Sequence, residues 1–208
     1  STLLASSAAS DVYKRQVQMS VRLVRLKRRK SRMNIMIVGV GGQGTLLASR
    51  ILGKVAIKEG YDVKVSEVHG MSQRGGSVVT YVKYGDKVYS PIIDRGESDL
   101  ILAFEMLEAM RALPYLKKGG KMIANTQKMN PMPVITGAME YPENIEEKLS
   151  AKINLQAVDA LSLAEKAGTI KAVNVVLIGL LAKSMDVDKN VWIDVIKETC
   201  LLYTSDAA

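Results

Sequence analysis

A glycine-rich turn between an apolar run and a helical pattern is the feature that most constrains the fold of this chain. Residues 34–38 are mostly apolar, and residues 46–58 carry apolar side chains at the three-to-four spacing of an amphipathic helix. Gly39, Gly41 and Gly44 between them fit the pattern G-x-G-x-x-G. The stretch therefore predicts a strand, a tight turn and a helix, the opening unit of an α/β domain.

Such a turn serves either as a binding site or as a packing device. Glycine allows a positive φ and lets backbone N–H groups approach an anion, and the N-terminus of the following helix carries a partial positive charge. These properties favour a site for a phosphate, pyrophosphate or carboxylate, formed by Gly39, Gly41, Gly42, Gln43 and Gly44. The alternative is a turn that only packs the strand against the helix.

The net charge of the chain is concentrated at its beginning. The 208 residues carry a formal charge of +8, and residues 1–32 contain nine lysines and arginines against one aspartate. The remainder holds 20 basic and 20 acidic side chains. Met33 looks like a natural start, and both extreme ends resemble translated sequencing-adaptor sequence. We therefore interpret residues 1–32 as a non-native or disordered basic leader, 33–200 as the domain, and 201–208 as a non-native tail.

Composition narrows the possible functions. The basic leader could be an arm that binds nucleic acid or anionic lipid, or a targeting presequence, but nothing else in the chain supports these functions. Aromatic residues make up 5% of the chain and are not interleaved with the basic residues, so no platform for stacking nucleic-acid bases is visible. No apolar run approaches the 18–20 residues or so of a membrane span. Cys200 is the only cysteine, which excludes an internal disulfide framework and an iron–sulfur cluster, since a cluster takes about four thiolates. His69 is the only histidine, which argues against a zinc site within one chain, and we predict no metal site. We expect a cytoplasmic protein without nucleic-acid or membrane partners.

A second glycine-rich stretch follows the next predicted strand, residues 62–68. Ligands bind at the carboxyl ends of strands in open α/β sheets, which is where this loop begins. In it, His69 could carry a proton and Arg74 could pair with a phosphate or carboxylate. Its candidate binding residues are His69, Gln73, Arg74, Gly75, Gly76 and Ser77. The alternative is a structural loop. In a dinucleotide-binding unit, an acidic residue near the end of the second strand holds the ribose hydroxyls of the dinucleotide, and Glu67 has that position. The favoured interpretation of Glu67 is nevertheless a carboxylate at the end of a strand that faces water.

The rest of the chain predicts alternating elements. Residues 78–90 predict a β-hairpin that turns at Gly85-Asp86, which makes the sheet mixed. Residues 130–142 contain three prolines and two methionines and predict an irregular segment, whose methionines we interpret as gap-fillers. Further strands are predicted over 100–104, 121–125 and 153–158, and helices over 105–116, 144–152, 160–167, 174–184 and 188–198. The prediction is a single three-layer, Rossmann-like α/β domain with a mixed, largely parallel sheet.

The two glycine-rich stretches, 39–44 and 66–78, together resemble the gamma-type domain of the 2-oxoacid:ferredoxin oxidoreductase family. Within that family they are most similar to the beta subunits of indolepyruvate ferredoxin oxidoreductases. Residues 89–91, 113–116 and 174–179 share the likeness, which runs from about Met33 to Thr199.

The resemblance implies a non-autonomous enzyme subunit. The family converts 2-oxoacids, arylpyruvates in the indolepyruvate members, to acyl-CoA by oxidative decarboxylation and passes the electrons to ferredoxin. It places thiamine diphosphate and the iron–sulfur clusters on a partner alpha subunit, so that this chain alone would bind no cofactor. Coenzyme A is the co-substrate, and its pyrophosphate suits Gly39–Gly44 and Arg74. The resemblance assigns no catalytic residue to this chain.

The competing hypothesis is a stand-alone NAD(P)-binding oxidoreductase. It would use the same glycine turn, with Glu67 on the ribose. No substrate domain and no Tyr/Lys or His/Asp catalytic pair follows the turn in the sequence.

Overall fold

The computed structural model of the protein describes residues 32–70 and 76–205, with side chains as far as Thr199. The described residues form six strands and seven α-helices. In chain order these are β1 (Met33–Val40), α1 (Thr45–Lys58), β2 (Asp62–His69), β3 (Ser77–Gly85), β4 (Ser98–Ala103), α2 (Met106–Ala112), β5 (Leu116–Asn125), α3 (Met132–Ile135), α4 (Ile145–Ser150), β6 (Asn154–Val158), α5 (Ala160–Lys166), α6 (Val173–Ala182) and α7 (Lys189–Ser205).

The strands form one sheet in the order β2-β3-β1-β4-β5-β6. Strand β3 pairs antiparallel with both β2 and β1, whereas β1, β4, β5 and β6 pair in parallel. The predicted mixed, largely parallel sheet is therefore confirmed. The carboxyl ends of the five like-directed strands and the amino end of β3 lie at the same edge, where loops from distant parts of the sequence meet.

Helices cover both faces of the sheet and complete the three predicted layers. Strand β1 is buried on both sides, as a central strand of such a sheet must be. Ile35 and Ile37 pack in a core with α1, α6 and α7. Met36 and Val38 point the other way, into a core with α2 and α4. The alternation of this one strand thus divides the apolar residues into two cores.

The predicted hairpin over residues 78–90 is wrong. Strand β3 ends at Gly85, and residues 87–90 form no strand. The physical reason is that β2 and β1 occupy both edges of β3, so no backbone donors remain for a second arm. Instead, the Asp62 carboxylate accepts a hydrogen bond from the backbone N–H of Val88 at 2.8 Å and holds the chain beside β2.

Two further expectations differ from the structure. The helix predicted over 105–116 ends at Ala112, because Pro114 cannot continue an α-helix, and a 3-10 turn, Leu113–Tyr115, leads directly into β5. Met132 and Met139 are exposed and fill no gap in a core.

In the part of the chain that the structure describes, no helix has the length and apolar character needed to cross a bilayer.

Candidate functional site

The fold brings the two glycine-rich stretches together at the carboxyl edge of the sheet. The glycine turn, residues 39–44, follows β1, and residues 69–70 and 76–77 connect β2 with β3. The backbone N–H of Gly41 donates to the carbonyl oxygen of Gly76 at 2.9 Å, so the two segments are bonded directly. Gln73, Arg74 and Gly75 lie outside the described residues, and their binding role stays a prediction.

The side chain of Gln43 folds back into the glycine turn. Its Oε1 accepts a hydrogen bond from the backbone N–H of Val40 at 2.8 Å, and its Nε2 donates to the carbonyl oxygen of Phe104 at 3.2 Å. A Cβ atom on Gly39 would lie 2.9 Å from the Gln43 Oε1 and 3.0 Å from the Phe104 Cβ. Gly39 is therefore required for packing.

The donors of the turn are largely satisfied within it. The backbone N–H groups of Val40 and Gly41 are engaged as described, and that of Gln43 donates to the Val40 carbonyl at 3.2 Å. Helix α1 begins immediately afterwards, with Gly44 in the left-handed region at φ 86°. The first turn of α1 offers further donors to an anion, because the initial N–H groups of a helix have no intrahelical acceptor.

A cleft of about 410 Å³ opens beside the start of α1. One wall is the glycine turn with Phe104 and Gln127. The other combines exposed apolar side chains, Leu161 and Ile170, with the cation Lys171. The arrangement can take an anionic group at the helix end and an apolar portion of the same ligand along the opposite wall.

His69 and Glu67 form a pair on the α1 face of β2. The His69 Nε2 and the Glu67 Oε1 are 2.8 Å apart, and the Glu67 side chain is mostly buried. The interpretation of Glu67 as a water-facing carboxylate is therefore wrong. Strand β3 also separates β2 from β1, so Glu67 is two strand spacings, roughly 10 Å, from the line of the glycine turn. A dinucleotide-binding unit has β2 next to β1, and this insertion counts against the NAD(P) hypothesis.

Ser77 faces an acidic side chain. Its hydroxyl donates to the Glu108 Oε2 at 2.6 Å, and Arg111 donates to the Glu108 Oε1 at 2.6 Å. Glu108 belongs to α2 and is buried. Of the described candidate residues in this loop, His69 and Ser77 thus both engage carboxylates within the chain, which leaves their predicted contact with an anionic ligand untested.

Glu105 is a buried carboxylate at this edge of the sheet whose contacts the sequence did not predict. It follows β4, is 1% exposed, and caps α2 because its Oε2 accepts from the backbone N–H of Glu108 at 2.9 Å. Its Oε1 accepts from the backbone N–H of Met129 at 3.1 Å and from the Tyr141 hydroxyl at 2.5 Å. Burial and the Glu105 carboxylate raise the pKa of Tyr141, which keeps that hydroxyl a donor. The local signal was an acidic N-cap; its partners are too distant in sequence to predict.

These bonds fix a segment that we call the excursion, residues 129–141, at both of its ends. It leaves the sheet after β5 and returns before α4.

Among the residues that the structure describes, no three His, Cys, Asp or Glu side chains lie close enough together to hold a metal ion.

Comparison with known proteins gives a consistent family. Residues 34–201 match the family model described as pyruvate ferredoxin/flavodoxin oxidoreductase. The indolepyruvate oxidoreductase subunit IorB of Pyrococcus horikoshii is 48% identical over 155 residues, which cover 73% of this chain and 77% of that protein. The common subunit gamma of the pyruvate/ketoisovalerate oxidoreductases of Thermococcus kodakarensis is 30% identical over 149 residues, 70% of this chain and 74% of that protein.

The fold itself recurs in a solved structure. A 2-oxoglutarate:ferredoxin oxidoreductase from Magnetococcus marinus, with 2-oxoglutarate, coenzyme A and succinyl-CoA bound, matches with a TM-score of 0.62 at 17% identity. The match covers 81% of this chain and 27% of that one, so the same fold is there part of a longer polypeptide. The resemblance found in the two glycine-rich stretches is confirmed, and the chain belongs to the pyruvate ferredoxin/flavodoxin oxidoreductase family.

Proposed function

We propose that this chain is the small, non-autonomous subunit of an indolepyruvate:ferredoxin oxidoreductase. The complex oxidatively decarboxylates arylpyruvates to arylacetyl-CoA, releases carbon dioxide and passes the electrons to ferredoxin. The observation that carries the proposal is the higher identity to the indolepyruvate subunit than to the pyruvate/ketoisovalerate subunit, 48% against 30%.

A larger alpha subunit supplies thiamine diphosphate and the iron–sulfur clusters. The amino-acid content of this chain supports that division of labour, because one cysteine, Cys200, cannot provide the thiolates that a cluster takes, about four in number. The absence of a disulfide framework agrees with a cytoplasmic complex. This chain contributes the loops at the carboxyl edge of its sheet. Its partners are the alpha subunit and, through the complex, ferredoxin.

The cleft beside the glycine turn receives coenzyme A. Coenzyme A joins a pyrophosphate to a long arm with apolar portions, and the cleft joins the N-terminus of α1 and Lys171 to Leu161 and Ile170. Gly42 and Gly44 both have positive φ, at 97° and 86°, which places the turn next to the helix end with no strain. Arg74, two residues before Gly76 in the sequence, adds a second cation for the pyrophosphate.

Substrate preference tests the proposed reaction. The chain is produced together with its alpha subunit, and kcat/KM is measured for indolepyruvate, phenylpyruvate and pyruvate with ferredoxin as acceptor. We expect the arylpyruvates to be preferred, and we expect the isolated chain to be inactive and to contain neither iron nor thiamine diphosphate. A preference for pyruvate would refute the arylpyruvate assignment. Activity of the isolated chain would refute its dependence on a partner.

Coenzyme A binding is tested by removing the cations. Lys171→Ala and Arg74→Ala should each raise the KM for coenzyme A about tenfold, because a hydrogen bond to a charged group is worth about 1.5–3 kcal/mol. The KM for the 2-oxoacid should change less. Lys118→Ala, an exposed lysine near the opposite edge of the sheet, is the matched control. Assembly is measured first by gel filtration. Normal assembly with an unchanged KM would show that the glycine turn only packs.

A further inference from the structure

The excursion presents large apolar side chains to solvent. Met132, Ile135 and Met139 are 67%, 65% and 65% exposed. Met132 and Ile135 share one face of α3, since residues three apart are neighbours on a helix. The backbone N–H of Met139 donates to the carbonyl oxygen of Pro133 at 3.0 Å, which brings Met139 back to the same turn. Scattered apolar residues are ordinary on a surface, but a group of neighbours marks an interaction site.

The fold holds these side chains outward before any partner arrives. A single oxygen, the Glu105 Oε1, accepts hydrogen bonds from Met129 and Tyr141 at the two ends of the excursion. Pro131 and Pro133 restrict the backbone between them. Because the segment is already ordered, binding through it carries little further cost in conformational entropy.

The charges around the excursion identify the kind of surface that fits it. Residues 129–147 contain four exposed glutamates and no lysine or arginine, and two lysines, Lys128 and Lys148, flank the range. The four are Glu140, Glu143, Glu146 and Glu147. A cleft of about 480 Å³ lies beside the base of the excursion, with Asn144, Glu146, Glu147 and one cation, Lys128, in its wall. The whole surface is therefore an apolar tip next to an acidic cleft.

The excess of negative charge disfavours two other occupants. A symmetric contact with a second copy of this chain would bring the four glutamates against the same four, which is unfavourable. An anionic lipid surface would be repelled for the same reason. A protein surface with an apolar hollow and a basic rim is complementary to both parts.

We propose that the excursion and the acidic cleft form the docking surface for the larger, cofactor-bearing subunit. The facing surface of that subunit receives Met132, Ile135 and Met139 in an apolar hollow and directs a lysine or arginine into the cleft beside Glu146 and Glu147. The identity of the partner rests on the proposed function, whereas the chemistry of the surface rests on the residues described here.

A matched pair of substitutions tests the apolar tip. Ile135→Lys places a charge in the hollow and should weaken the Kd for the separately produced alpha subunit, loaded with its cofactors, at least tenfold. Ile57→Lys is the control, since Ile57 is 62% exposed and lies on α1, on the other face of the sheet. It should change the Kd less than about twofold. Both positions are exposed, and circular dichroism verifies that both variants fold.

Charge reversal tests the acidic cleft. For the wild type, the association rate constant with the alpha subunit should fall as salt is added, because salt screens the attraction between the two surfaces. The double variant Glu146→Lys/Glu147→Lys should associate more slowly at low salt, and its rate constant should not fall with added salt. Glu165→Lys, an exposed glutamate on α5, should leave both unchanged.

The outcomes separate the two proposals. A wild-type chain that binds no thiamine-dependent alpha subunit would overturn the proposed function and this inference with it. A wild-type chain that binds, together with an Ile135→Lys variant that binds as tightly, would overturn the inference alone. Concentration-dependent self-association that Ile135→Lys abolishes would identify a second copy as the occupant and would also overturn it.

Discussion

The glycine turn and the excursion lie at the same edge of the sheet and adjoin consecutive residues, Phe104 and Glu105, but they arrange their polar groups in opposite ways. In the turn, the side-chain amide of Gln43 bonds to backbone groups of the turn and its neighbour, the N–H of Val40 and the carbonyl oxygen of Phe104. In the excursion, Glu105 collects polar groups at the base and leaves the apolar side chains outside. The comparison shows that one inward-bonded side chain organises each segment, the half-buried Gln43 in the turn and the buried Glu105 in the excursion. The two segments differ accordingly in the partners that we propose for them, a small anion and a protein surface.

Removal of the Glu105 carboxylate should have the largest effect. Glu105→Ala leaves the N–H groups of Glu108 and Met129 and the Tyr141 hydroxyl without their acceptor. We expect the free energy of unfolding to fall by about 3 kcal/mol, because buried donors without partners cost about 1–3 kcal/mol each and some regain water. Guanidinium denaturation measures the change. Hydrogen exchange should rise throughout residues 129–141.

An exposed glutamate of the same region provides the reference for Glu105. Glu143→Ala should change the free energy of unfolding by less than about 0.5 kcal/mol. If Glu105→Ala were as mild as Glu143→Ala, or if exchange in the excursion stayed at the wild-type rate, Glu105 would not determine the shape of the segment. The proposed rigidity of the docking surface would then be lost as an argument.

The glycine turn offers a narrower contrast between two glycines. Both Gly42 and Gly44 have positive φ, so alanine at either position should cost roughly 1–2 kcal/mol in backbone strain. A Cβ atom on Gly42 would meet open space, whereas one on Gly44 would lie 2.9 Å from the Asn174 Nδ2. Gly44→Ala should therefore be the more destabilising of the two by thermal unfolding.

A double substitution isolates the contact with Asn174. In Gly44→Ala/Asn174→Ala the collision is absent, and the stability cost of the alanine should return to that of Gly42→Ala. Equal costs for the two single variants would mean that Asn174 moves aside freely. In that case the wall of the cleft is looser than its geometry implies.

The sequence predicted those parts of the fold that local patterns encode. The strand, turn and helix around Gly39–Gly44 were correct because the spacing of glycines and apolar residues is a short-range signal. The insertion of β3 between β2 and β1 was missed because pairing depends on residues far apart in the chain. The Gly85-Asp86 turn signal was strong locally but was overridden when both edges of β3 were already paired.

The candidate site was predictable to the same extent. Both glycine-rich stretches were identified, and the bond between Gly41 and Gly76 shows that they meet. Glu105 was missed because Met129 and Tyr141 follow it by 24 and 36 residues. Met132 and Met139 were misjudged because a methionine has the same sequence signature in a core as on an exposed surface.

The smallest effect concerns Asp159, an exposed carboxylate that caps a helix as the buried Glu105 does. Asp159 accepts from the backbone N–H and the hydroxyl of Ser162 at the start of α5, and these hydrogen bonds lower the pKa of Asp159. A lowered pKa stabilises the folded chain above the unfolded value, about 3.9, and this stabilisation is lost as the pH falls through the lower folded pKa. Wild type should therefore melt slightly above Asp159→Asn at neutral pH, and the difference should shrink below about pH 3.9. Because solvent screens Asp159, the difference should be much smaller than that produced by Glu105→Ala. A difference in Tm that stays constant to pH 3 or so, or that rivals the effect at Glu105, would show that burial does not determine what these two caps contribute.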